Sequence, residues 1–115
     1  MSLALDGPDA VYTLAPDPWM WDLADAVPDG EVVDLPNANS DPATFGMLMA
    51  ILQRTGHEVT GHGQVDYYEF SPPESATCYA VLQTTDDPAT HGYPAARPLA
   101  SEGGLTLYAR PECAD

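Results

Sequence analysis

The chain contains no lysine, and its cationic side chains apart from histidine are three arginines, Arg54, Arg97 and Arg110, among 115 residues. Nonspecific binding of nucleic acid needs clustered cations to displace phosphate counterions, and three scattered arginines cannot form such a patch. Attraction to an anionic membrane surface fails for the same reason. Without lysine there is no amine nucleophile except at the N-terminus. No apolar run approaches the roughly 20 residues that a membrane span needs. Residues 1–6 lack the basic and long apolar regions of a secretory signal, so the expected location is the cytoplasm. Cysteine is scarce as well. Cys78 and Cys113 do not make a disulfide scaffold; they could pair once, but Cys113 lies almost at the C-terminus and free thiols are expected.

What is present in excess is negative charge: 18 acidic residues and a formal net charge of -15. Three readings of that acidity compete. One is a solvated surface of the kind suited to high salt. The second is a mimic of nucleic acid that occupies a partner's phosphate-binding site. The third is steering toward a basic protein. The apolar fraction of 44% is enough for a core, and the length is that of one domain.

The order of elements is readable. Ala10-Val11-Tyr12-Thr13-Leu14 reads as a strand. Asp17-Pro18 supplies a cap and a first helical residue, predicting a helix over 18–27. At about 100° per residue, Trp19, Met20, Leu23, Ala24 and Val27 share its inner face. Trp21, Asp22 and Asp25 fall outside, and an exposed tryptophan on an acidic face can anchor a partner. Residues 31–35 read as a second strand. Asp41-Pro42 repeats the helix-opening device, and Phe45, Leu48, Met49 and Leu52 form the stripe of a helix running to Thr55, with Gly56 as its stop. Residues 57–60 and 65–70 read as a hairpin joined through Gly61-His62-Gly63. Ser71-Pro72-Pro73-Glu74 marks a boundary between residues 1–71 and an extension, 72–115. Strands are expected over 77–82 and 105–108, with 86–104 irregular because of its prolines and glycines. Asp87-Pro88-Ala89-Thr90 repeats Asp41-Pro42-Ala43-Thr44, but His91, Gly92 and Pro94 break any helix there.

Several of these segments resemble the TusA/SirA family of small sulfur-carrier proteins. Leu14-Ala15-Pro16-Asp17-Pro18 is similar to the family's Cys-Pro-x-Pro signature, and Pro28-Asp29-Gly30-Glu31 to its Pro-Gly-Glu turn. Asp41-Pro42-Ala43-Thr44 resembles the Asp-Pro opening of its second helix, and Arg54-Thr55-Gly56-His57-Glu58-Val59 the Thr-Gly-His-Glu end of that helix. The resemblance covers residues 10 to 71. It implies a two-layer α/β sandwich of order βαβαββ, with two helices on one face of a mixed four-stranded sheet. Here a C-terminal β extension would follow. The family's sulfur-carrying cysteine sits at a helix N-terminus, where the dipole favours an anion. This chain has Ala15 there, and a methyl group cannot carry sulfur.

The resemblance implies a partner-binding corner at Ala15, Pro16, Asp17, Trp19 and Trp21, meeting another protein without sulfur transfer. Cys113 is the candidate replacement thiol, although Glu112, Asp115 and the terminal carboxylate disfavour its thiolate. His57 and His62 lack the helical spacing of a zinc site, and no Cys-x-x-Cys pair accompanies them, so no metal is expected. Gly61-x-Gly63 is too short for a nucleotide loop, and no nucleophile elbow is present. The expectation is a non-enzymatic protein-binding module with no cofactor and a basic protein partner. The alternatives are an acidic nucleic-acid-mimicking inhibitor, a structural subunit of an assembly such as a virus particle, and a sulfur carrier using Cys113.

Overall fold

The computed structural model describes residues 18–61, 64–65, 68–69 and 77–113. The strand expected over 10–14, the residues Ala15, Pro16 and Asp17, and His62 lie outside the described residues.

Helix α1 (Pro18–Asp25) buries Met20, Leu23 and Ala24, with Val27 buried just beyond its end, as the spacing predicts. Strand β1 (Val33–Leu35) follows after a turn at Gly30, whose φ of 80° is in the left-handed region open to glycine. Helix α2 (Pro42–Arg54) begins where the Asp41 carboxylate accepts from the Thr44 amide at 3.4 Å, with Pro42 at the first helical position. It buries Phe45, Leu48, Ile51 and Leu52. The Thr55 hydroxyl donates to the Ile51 and Leu52 carbonyls, and Gly56 turns the chain at φ 92° into β2 (Val59–Gly61).

β2 lies parallel to β1, so β1–α2–β2 is a parallel crossover unit with a helix in the connection. Among the described residues, the strand expected to return against 57–60 is not paired with it. Strands β3 (Gln64–Val65) and β4 (Tyr68–Glu69) pair antiparallel with each other as a separate two-stranded ribbon. β2 satisfies its backbone against β1 instead.

The extension is integral to the main sheet. β5 (Tyr79–Gln83) pairs in parallel with the other side of β1, and β7 (Leu105–Ala109) pairs antiparallel with β5. β6 (Arg97–Glu102) pairs antiparallel with β7 and forms one edge. Among the described residues the order is β2-β1-β5-β7-β6, a mixed five-stranded sheet where four strands were expected. β6 falls inside the stretch expected to be irregular. It is made possible by Gly103-Gly104, both at positive φ (56° and 86°), which form a tight two-residue turn joining Glu102 to its partner Leu105. Its Pro98 is tolerated on an edge strand, and a register shift between Pro98 and Ala100 accommodates Leu99.

Strand side chains alternate between the two faces. Val33, Leu35, Val59, Tyr79, Val81, Leu105, Leu107 and Ala109 join the buried residues of α1 and α2 in one core. The two helices therefore share one face of the sheet. The other face carries Asp34, Thr60, Ala80, Leu82 and Thr106, of which all but Thr60 are buried. Part of what lies over it comes from the connection between β5 and β6, which contains a short 3₁₀ turn (Pro88–His91) and Tyr93.

Candidate functional site

Two places hold side chains whose arrangement goes beyond core packing. The first is the outer surface of α1. Trp21 is 37% exposed, and Asp22 and Asp25 beside it are exposed, as the helical spacing predicts. Trp19 does not join them. Its ring is packed inward against the core and lies over the Gly103 turn, where a β-carbon built on that glycine would sit 2.3 Å from the Trp19 Cε2 atom. The two indoles named in the expected partner-binding corner thus differ in setting: one packs over the β6–β7 turn and the other faces outward. The packing of α1 along β6 brings this end of the helix near the strand that carries Leu99, itself 42% exposed.

The second place is a polar network on the sheet face opposite the helices. Asp34 is a lone carboxylate in an otherwise apolar strand, and it is 2% exposed. An uncompensated carboxylate there would be costly, and both its oxygens are answered. Thr60 on β2 donates to Oδ1 at 3.0 Å, and the Tyr93 hydroxyl donates to Oδ2 at 2.6 Å. Because the single Tyr93 proton goes to Asp34, the Thr77 hydroxyl donates to the Tyr93 oxygen. Arg110 completes the group: its Nε donates to the Thr77 carbonyl at 2.6 Å, and its guanidinium stands 4.3 Å over the centre of the Tyr93 ring. Burial pushes the Tyr93 phenol well above its ordinary value, and the bond to Asp34 adds to the rise. The Thr77 bond and the Arg110 charge oppose it more weakly. A second row of hydroxyls continues across the sheet, with Thr106 bonded to Thr84 at 2.9 Å and to Ser101 at 2.8 Å.

The chemistry this network offers is that of a lock: every acceptor on Asp34 has a donor from a different element. Its members lie far apart in sequence, and their grouping was not foreseen. The available signal was the acid itself, since a single Asp in Val32-Val33-Asp34-Leu35 must find partners if the strand is central.

The cysteines are corrected too. Cys78 and Cys113 form a disulfide, with their Cα atoms 5.7 Å apart, so Cys113 is not the free thiol that was expected. His57 is buried, and its Nδ1–H donates to the Glu31 carbonyl at 2.9 Å, fixing the turn before β1. Among the described residues, no three of His, Cys, Asp and Glu gather as metal ligands.

No family model, curated protein or solved structure matches this chain. Among the described residues, no helix is long and apolar enough to cross a membrane.

Proposed function

We propose that this chain is a small acidic, non-enzymatic protein-binding module that presents the outer face of α1 to a basic protein. The observation that carries the reading is Trp21, a large aromatic side chain left 37% exposed on a helix face shared with two exposed carboxylates, Asp22 and Asp25. A rigid indole ringed by charge of one sign is the combination that anchors an interface and selects a partner of opposite charge. The net charge of -15 extends that preference over the whole surface and accelerates encounter with a basic partner. The similarity to sulfur carriers supports the same end of the helix as the meeting point, with Ala15 excluding sulfur transfer there. The Cys78–Cys113 disulfide, which occupies both sulfurs in the oxidised protein, weighs against a carrier that uses the tail thiol.

A photoreactive amino acid at position 21 tests the reading, with the same group at exposed Gln53 on α2 as the control. The expected result is one discrete protein adduct from position 21 that is absent from position 53. Equal or no adducts at the two positions would overturn the assignment.

A further inference from the structure

The disulfide sits where it can act on the polar network without belonging to the sheet ladder. Tyr79 pairs with Ala109 at the end of β5–β7, and the next step places the Arg110 amide on the Cys78 carbonyl at 2.9 Å. Residue 110, not 113, is therefore opposite Cys78. Cys113 reaches Cys78 because a single 3₁₀ turn (Pro111–Cys113) folds the chain back, closed by the Cys113 amide on the Arg110 carbonyl at 2.9 Å. Among the described residues, the disulfide is the covalent tie that holds this turn against the start of β5. Both cysteines are half-buried rather than enclosed, so a reagent can reach the bond.

The turn begins at the residue that touches the network twice. Arg110 bonds the Thr77 carbonyl and covers the Tyr93 ring, and Thr77 and Cys78 are adjacent. The disulfide thus fixes both sides of the Arg110 contact, Thr77 through its neighbour and Arg110 through the turn.

We infer that the Cys78–Cys113 disulfide is a redox-operated latch, whose reduction frees the C-terminal turn and loosens Arg110 from Thr77 and Tyr93 while the sheet stays folded. The inference stands independently of the protein-binding reading, since it uses none of the α1 surface. The step is ordinary thiol–disulfide exchange. One thiolate of a small dithiol attacks a protein sulfur and forms a mixed disulfide. Its second thiol then closes the ring and releases the other half. Two electrons and two protons pass to the protein sulfurs, giving two thiols, and the dithiol leaves as its cyclic disulfide. The sheet survives because the β5–β7 ladder and the hydrogen bond that the Arg110 N–H donates to the Cys78 carbonyl involve neither sulfur.

The test is a two-dimensional amide NMR spectrum of the full chain, oxidised and then treated with dithiothreitol without denaturant, with thiol alkylation followed by mass. The expected result is two alkylated cysteines and resonance shifts at residues 110–113, Thr77, Cys78 and Tyr93. Resonances of α2, which packs on the other face of the sheet, should keep their positions. Cys113→Ser, which has no bond to reduce, should show the same displaced resonances before any reductant is added. Three outcomes would overturn the latch: reduction that requires denaturant, collapse of the whole spectrum, or shifts at the cysteines with none at Tyr93. The first two make the bond a staple of the fold, and the third uncouples it from the network.

Discussion

Replacing Tyr93 with Phe removes one oxygen and little else. The ring keeps its volume and its place under Arg110, but Asp34 Oδ2 loses a donor 2.6 Å away in a site where Asp34 is 2% exposed. Hydrogen bonds to charged groups contribute about 1.5–3 kcal/mol, and a buried group left unsatisfied adds its desolvation cost. Thr77 loses its acceptor but is only half-buried, so water can replace it. The expected loss is about 2–3 kcal/mol at neutral pH. With a urea slope of about 1–1.5 kcal/mol per molar for a chain of this size, that lowers the midpoint by about 2 M. The same substitution in an Asp34→Asn background should cost less than about 1 kcal/mol, because the charged acceptor is already gone. pH gives a second handle. The phenol's folded value is raised above its unfolded value of about 10, so the protonated form is favoured by folding. That contribution is complete below about pH 10 and is lost as pH climbs beyond it. Wild type should lose stability above pH 10 more steeply than Tyr93→Phe. A cost under about 0.5 kcal/mol for Tyr93→Phe, or equal alkaline slopes in the two proteins, would refute the account of Asp34.

Four further outcomes are expected from the packing, the β6–β7 turn and the helix cap. Phe45→Ala should cost about 3–5 kcal/mol in chemical denaturation, since Phe45 is fully buried between α2 and the sheet. Gly103→Ala should destabilise by about 1–3 kcal/mol and shift the tryptophan emission, because the new methyl meets the Trp19 ring as well as carrying a φ of 56°. Gly104→Ala, with φ 86° but open space around it, should cost only the backbone term of about 1 kcal/mol and leave the emission unchanged. Asp41→Ala should cost about 1 kcal/mol by removing the cap on the Thr44 amide, read as a lowered melting temperature.

How far the sequence carries the fold depends on the range of the signal. The two Asp-Pro-Ala-Thr segments make the point. In both, the aspartate accepts a backbone N–H at the start of a helical turn, Asp41 from Thr44 and Asp87 from Ala89. Both are followed two residues later by glycine. Only the first continues, because Phe45, Leu48 and Leu52 give it a face to bury, whereas Pro94 ends the second and Gly92 turns out at φ 91°. The helices and their inner faces were legible because caps and a 3.6-residue period are local. β6 was missed because prolines and glycines outweighed its pattern, although paired glycines are also a hairpin signal. The parallel pairing of β1 with β2, the central place of β5, and the Asp34–Tyr93 bond 59 positions apart are long-range facts that no local pattern states. The Cys78–Cys113 bond was hidden in the same way, since it depends on the β7 register and the turn beyond it.

The candidate surface was legible in half. Helical spacing placed Trp21, Asp22 and Asp25 outside, and the structure puts them there. The same spacing placed Trp19 on the inner face, where it packs, but it could not reveal the Gly103 turn, more than 80 residues away, that the ring meets.

The most direct test of the binding account compares capture from native extract by wild type, Trp21→Ala and the double variant Asp22→Asn/Asp25→Asn, at about 0.1 M and about 0.5 M salt. Trp21 is exposed, so its loss should leave stability within about 0.5 kcal/mol of wild type and any change in capture reflects binding. The account predicts a basic protein retained by wild type at low salt, lost with Trp21→Ala, and weakened by both the double variant and high salt. The same protein retained equally by all three, at both salts, would contradict it.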